Sequence, residues 1–334
     1  MKTKLSNKLT GFSLVELMVA ITISVVLLTG LIQVYMSAKR SYLIQDSIAR
    51  MQENGRYAVN LLNRDLRLAG YMGGNADVST LGGSRAPVTP DGQCGGTNDT
   101  RWGRMVARSV FAINVAPGNT LTGYNCISPA GNPAQRGQHL SGDILSIRYF
   151  KHTNLNAASR ANNAGLYLKT SLTSGQVELV NKDVNIDSFF APNSGQPISY
   201  NKLESYTYYS GHQNADCDGI ATQVPTLFRM ALSNDGTPKR EELIRGVENL
   251  QVQFGVDSNS DGALDQYQNA DTITNWALVR SVRLWLLIRA ECPGAGGYLN
   301  NNTYTMGDAN LTPNDRFRRQ LYTSTVMLRN NEVI

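Results

Sequence analysis

Two sets of oxygen-bearing side chains stand where residue type and spacing imply chemistry. The first is one carboxylate, Glu16, the only charged residue among the 25 from Phe12 to Met36. A carboxylate inside an apolar helix costs roughly 2.5–3.5 kcal/mol on insertion scales, so it implies a partner. The second is Asp257-Ser258-Asn259-Ser260-Asp261-Gly262-Ala263-Leu264-Asp265, where oxygens recur at alternate positions ahead of a glycine. This matches the first half of an EF-hand loop: Asp257, Asn259, Asp261, the Ala263 carbonyl and Asp265 would surround one calcium ion, with Gly262 making the turn. The match stops at the twelfth position, where Gln268 replaces the bidentate glutamate, and strands rather than helices flank the loop. A plain polar hairpin turn is the stronger reading. Calcium, if bound, is structural, and no cofactor is required elsewhere.

Catalytic patterns are weak. His139, His152 and His212 are scattered without ligand spacing and read as surface loop residues. Ser199-Tyr200-Asn201-Lys202 satisfies SxxK but lacks the companion KTG and SDN motifs, and GxSxG, Walker A and HExxH are absent. The chain therefore reads as a non-enzyme. Arg101, Trp102, Arg104 and Arg108 form a small basic-aromatic cluster, read as a solvated face, so nucleic acid is not an expected partner.

Cys94, Cys126, Cys217 and Cys292 all follow the apolar run, and none forms a CxxC pair. An even number so placed suits disulfides in an oxidising compartment. Three pairings are open. The local pair Cys94–Cys126 is preferred, and closing that loop stabilises by roughly 3–4 kcal/mol in the chain-entropy model.

The elements that position these residues begin with the apolar run. Twenty-five residues at 1.5 Å rise make about 37 Å of helix, enough to cross a bilayer core with some tilt. Lys2, Lys4 and Lys8 precede it and place the N-terminus in the cytoplasm, against a weaker opposing signal from Lys39 and Arg40. Of the +5 formal charge, those lysines account for three, leaving about +2 for the rest, which is no nucleic-acid signature. Hydrophobic content of 41% with 17% charged residues fits a globular body on an anchor.

No proline lies between Phe12 and Gly70, so a proline kink is excluded, although Ser24, Thr29 and Gly30 are points where the helix could loosen. Beyond Lys39, Ile44, Ile48, Met51, Gly55, Ala58, Leu62, Leu66 and Ala69 keep a three-and-four spacing, with Tyr57, Leu61 and Leu68 widening the stripe. The pattern predicts one long helix whose second half packs on a sheet, with Gly70 as C-cap. Residues 71–142 are rich in Gly, Pro, Asn and Ser and read as an irregular region. Strands are expected at Ile144–Phe150, Leu166–Thr170, Val177–Val180, Tyr206–Tyr209, Thr226–Leu232, Glu242–Arg245, Val247–Val256, Val279–Arg289 and Tyr322–Leu328.

The junction Gly11-Phe12-Ser13-Leu14-Val15-Glu16 strongly resembles the class III signal of type IV prepilins and type II secretion pseudopilins. Gln52-Glu53-Asn54-Gly55-Arg56-Tyr57-Ala58, Arg64-Asp65-Leu66-Arg67-Leu68-Ala69-Gly70-Tyr71 and the C-terminal Thr325-Val326-Met327-Leu328-Arg329-Asn330 resemble PilW-type minor pilins. The resemblance implies cleavage between Gly11 and Phe12 by a prepilin peptidase, N-methylation of Phe12, and a Glu16 that pairs with the terminal amine of a neighbouring subunit.

The fold so implied is α+β and pilin-like, a long N-terminal helix packed on antiparallel sheet, with a disulfide-stapled irregular region. Its parts are a leader at 1–11, a membrane half-helix at 12–36, an amphipathic half at 37–70, an irregular region at 71–142 and a β-rich domain at 143–334.

The implied function is that of a minor pilin that primes type IV pilus assembly in the bacterial inner membrane and ends near the pilus tip, supporting piliation, twitching motility and adhesion. Its partners would be other minor pilins, the major pilin and a tip adhesin of the PilY type. A type II secretion pseudopilin resembling pseudopilin J, and a membrane-anchored periplasmic enzyme or binding protein, are the alternatives.

Overall fold

The computed structural model describes residues 11–75, 77–88, 100–115, 121, 126–127, 137–153, 164–180, 197–217, 219–294 and 297–331. Lys2, Lys4, Lys8 and Cys94 lie outside that set. The chain divides into two compact units, Met1–Ile48 and Ala49–Ile334. One helix, α1 (Leu14–Leu68), starts in the first and ends in the second without a break.

In the first unit the apolar run is exposed along its whole length. Its hydroxyls do not interrupt the helix. Thr22 Oγ1 donates to the Met18 and Val19 carbonyls at 3.1 and 2.8 Å, Ser24 Oγ to Ala20 at 2.7 Å, and Thr29 Oγ1 to Val25 at 2.8 Å. Each of these three hydroxyls is thereby satisfied within its own helix, the condition an apolar environment imposes.

In the second unit α1 buries Met51, Gly55, Ala58, Leu61, Leu62, Asp65 and Leu66. The apolar stripe is therefore where the spacing put it, with two corrections. Tyr57 and Leu68 are exposed, because they sit at the flanks of the stripe, and the acid Asp65 is fully buried within it. Gly55 costs about 1 kcal/mol of helix propensity, and packing explains its presence: a Cβ there would clash with the edge of the Tyr322 ring. After Leu68 the chain turns through Gly70, whose φ of +78° is the left-handed C-cap conformation expected of it.

Two main sheets follow. The larger contains β1 (Leu81–Gly82), β2 (Val110–Ile113), β3 (Ser141–His152), β4 (Gly165–Thr170), β5 (Gly175–Val180), β6 (Ser199–Cys217), β7 (Ile220–Leu232) and β8 (Pro238–Arg245). Its order is β1-β5-β4-β6-β3-β2, with β7 pairing β6 and β8. Every pair is antiparallel except β1–β5.

The smaller sheet runs β10-β9-β11-β14, from β9 (Val247–Val256), β10 (Gln266–Asn269), β11 (Val279–Arg289) and β14 (Arg319–Met327). A separate hairpin joins β12 (Tyr304–Met306) to β13 (Ala309–Leu311). One core cluster lies on the larger sheet around Trp102, Ile144, Tyr209, Phe228 and Met230. A second gathers Phe150, Leu166, Leu168, Val177 and Leu203.

The α+β class is as expected, and β9 and β11 have the predicted bounds. The largest difference is β6. Only Tyr206–Tyr209 carried a strand pattern, yet the strand runs 19 residues. Its first part is flanked by β3 and β4 and its second pairs β7, so neighbours on both sides supply the order that its polar and glycine residues do not.

Candidate functional site

The N-terminal site is built by the start of α1. Gly11, Phe12 and Ser13 lie outside the helix and are exposed, Phe12 to 89%. The Ser13 amide donates to Glu16 Oε2 at 3.1 Å, while the Ser13 carbonyl accepts from the Leu17 amide at 3.1 Å. Ser13 is thus the N-cap, and Glu16 reaches back to it as the carboxylate of a capping box. Within a single chain, one of the orphan amides of the helix start satisfies the acid in the apolar run. The junction, the cap and the acid are all exposed, at and just before the first turn.

The other end of α1 is fixed by a second acid. Asp65 has no exposed surface. It accepts hydrogen bonds from Tyr149 of β3 at 3.3 Å, from Tyr208 of β6, and from Arg64 Nε at 3.1 Å. Burial, and then the nearby Asp65 carboxylate, push both tyrosine hydroxyls well above their ordinary pKa. They remain donors. Tyr206 packs edge-on against both, with ring centroids at 6.1 and 6.0 Å. The Arg229 guanidinium lies 4.1 Å over the Tyr206 ring and is bound by Glu241 at 2.6 Å. The sequence gives one cue to this anchor that the stripe argument passed over: an acid at a position where the period demands an apolar residue.

The two sheets meet at a seam around the start of β3. Asp143, 1% exposed, accepts from the Val115 amide at 3.0 Å and from the Val252 amide of β9 at 2.8 Å. Ser141 Oγ donates to the Glu248 carbonyl at 2.6 Å, and Ser210 Oγ to the Val247 carbonyl at 2.9 Å. Gly142, at φ +79°, leaves room for the Leu250 backbone. Burial is the main cause that pushes the Asp143 carboxyl up to about 7, opposed by its two amide donors and assisted by Asp308 and Asp271.

The acidic loop folds as a turn held by its own amides. Asp257 is fully buried, accepts from the Asp261 and Gly262 amides at 3.1 and 3.0 Å, and pairs with Arg280 at 3.2 Å. Asn259 Oδ1 accepts from the Asp261 amide at 3.0 Å, Asp261 Oδ1 from the Ala263 amide at 2.8 Å, and Asp265 Oδ2 from the Ser258 amide at 2.8 Å. Gly262 makes the sharp turn at φ +86°. The three carboxylates therefore each accept from main-chain amides of the loop, and Asp257 in addition pairs with Arg280 of β11. Among the described residues no group of three or more His, Cys, Asp or Glu side chains is placed to hold a metal.

Cys217, at the end of β6, is bonded to Cys292, just after β11, and so joins the two sheets. Cys126 is also disulfide-bonded, and its preferred partner Cys94 lies outside the described residues. Among the other sequence candidates, Trp102 is fully buried in the core with Arg148 stacked 6.0 Å from its ring. The basic-aromatic cluster therefore offers no exposed stacking platform. His212 is buried in β6, a correction to its reading as a surface loop residue, since that strand is longer than its pattern implied. The SxxK tetrapeptide also lies in β6, where Ser199 Oγ donates to the Gly73 carbonyl at 3.0 Å.

The profile of the type IV pilus-assembly protein W family matches residues 207–330, from within β6 to just past β14. The prokaryotic N-terminal methylation motif matches residues 7–32. No curated protein and no solved structure matches the chain.

Proposed function

We propose that this chain, a PilW-type pilin with a prepilin signal by its two family matches, primes assembly of a type IV pilus in the inner membrane and is incorporated at or near the tip. Piliation, twitching motility and adhesion depend on it in this reading. A prepilin peptidase cuts between Gly11 and Phe12 and methylates Phe12. Other minor pilins, the major pilin and a tip adhesin of the PilY type are its partners.

The observation that carries this reading is the first turn of α1, where Glu16 caps its own helix at Ser13 inside an exposed apolar run. A carboxylate held by a main-chain amide three residues away is poised to exchange it for a stronger, charged donor. The terminal amine created at Phe12 of a neighbouring subunit is such a donor. The rest of the apolar helix is long enough to wait in a bilayer and then join a bundle of like helices. The W-family match favours a pilus over a secretion pseudopilus.

Deletion of the chain, followed by counting surface pili and measuring twitching, tests the function. Loss of both is expected, and normal piliation would overturn it. Gly11→Ala tests the junction separately and should leave a full-length precursor.

A further inference from the structure

An Asn-x-Ser/Thr triplet, with x other than proline, is the acceptor signal for N-glycosylation, and it is used at the surface of exported domains. The chain holds three: Asn98-Asp99-Thr100, Asn301-Asn302-Thr303 and Asn310-Leu311-Thr312. Asn98 lies outside the described residues. Only the third triplet has an acid two residues ahead of its asparagine, Asp308, a charge by which a transferase can tell it from the others. The disulfide between Cys217 and Cys292 places the domain in an oxidising compartment, outside the cytoplasm.

The β12–β13 hairpin that carries Asn310 has one face in and one face out. Its register sets Tyr304 against Leu311, Thr305 against Asn310 and Met306 against Ala309. Met306 and Ala309 are buried, whereas Thr303, Thr305, Asn310 and Thr312 are exposed. Strand alternation therefore puts the asparagine and the hydroxyl of the triplet on the same outward face. The turn is tied down through Asp308, whose Oδ2 accepts from Asn114 Nδ2 at 2.9 Å and from Asn269 Nδ2 at 2.7 Å. On the outward face, Thr305 Oγ1 donates to Asn310 Oδ1 at 2.8 Å, and the Thr303 and Thr312 hydroxyls share a hydrogen bond of 2.8 Å. The Asn310 amide is thus held by its oxygen alone, and its Nδ2 has no partner among the described residues. A group joined to that nitrogen breaks no contact of the fold.

We propose that Asn310 is an N-glycosylation site, its Nδ2 taking a glycan from a lipid-pyrophosphate-linked donor. In the transfer, Nδ2 bonds to the anomeric carbon as the bond from that carbon to the pyrophosphate oxygen breaks. The lipid pyrophosphate leaves with the electron pair, and the amide gives up one proton. Thr312 is the recognition half of the signal and keeps its hydroxyl. The glycan stands on an uncharged threonine face, away from the buried side of the hairpin. This inference rests on export of the domain and not on its role in a pilus.

The test purifies the full-length chain from membranes of its own cells and weighs the digest peptide that carries Asn310 by mass spectrometry. In wild type that peptide should bear a saccharide increment and release sugar fragment ions. Asn310→Gln and Thr312→Ala should each abolish the increment. Thr312→Ser, which keeps the signal, should retain it, and Asn301→Gln should leave it unchanged. A wild-type peptide of unmodified mass, or an increment that survives Asn310→Gln, would overturn the inference. Recovery of Cys217 and Cys292 as free thiols would overturn instead the export on which it rests.

Discussion

Asp65 and Tyr208 hold the end of α1 to the centre of the larger sheet: the acid is fully buried and the phenol donates to it. Asp65→Ala leaves the Tyr208 and Tyr149 hydroxyls buried without their acceptor and should destabilise the chain by roughly 3 kcal/mol or more. Tyr208→Phe should cost about 1–2 kcal/mol. The double variant should fall short of the sum, by at least ~0.5 kcal/mol, because both single changes break one contact. Urea unfolding of the full chain in detergent reads all three. Arg64 contributes little to this anchor, since its side chain is 63% exposed.

Asp143 should make stability fall with rising pH. Its folded pKa of about 7 stands above the ordinary 3.8, so between those values the folded chain holds the extra proton. The stabilising contribution is complete below about pH 4 and is lost as pH rises through 7. His139 acts with the opposite sign, because burial lowers its pKa and its contribution is lost at low pH. Asp143→Asn isolates the first effect: wild type should lose stability relative to this variant as pH rises from 4 to 7. A difference that stays constant across that range would show that Asp143 does not titrate there.

Gly55→Ala separates helix propensity from packing. Propensity alone predicts a gain of about 1 kcal/mol, whereas the Tyr322 ring predicts a loss of about 1–3 kcal/mol from overpacking. Loss is the expected outcome. Combining it with Tyr322→Ala should recover stability relative to Tyr322→Ala alone, and thermal melts of the four chains suffice to measure it.

Glu16→Ala should leave processing at Gly11 intact and abolish recovery of the chain in sheared pili. Glu16→Gln keeps an acceptor for the Ser13 amide but brings no charge to an amine, so it should behave like alanine if pairing matters and like wild type if the cap alone matters.

Local pattern made α1 and its buried stripe legible, because the three-and-four spacing of Met51, Ala58, Leu62 and Leu66 is a property of the helix itself. The strands with clean alternation, β9 and β11, were equally readable. What escaped was set by neighbours distant in sequence. β6 extends through Gly211 and Asn214 because β7 pairs along it, and Asp65 is tolerated in the stripe because Tyr149 and Tyr208 arrive from 84 and 143 residues away. The acidic loop shows the converse. Its oxygens have a calcium-like spacing that is read locally, whereas the pairing of Asp257 with Arg280 comes from a different strand and could not be read from the loop.

The bond between Cys217 and Cys292 has a mechanical consequence. The residues it brackets are 75 apart in sequence, a contour of about 250 Å if drawn out fully. Tension applied across those two points cannot extract that slack without breaking a covalent bond. The hydrogen-bonded seam between the two sheets can therefore open while the residues between the two cysteines stay gathered.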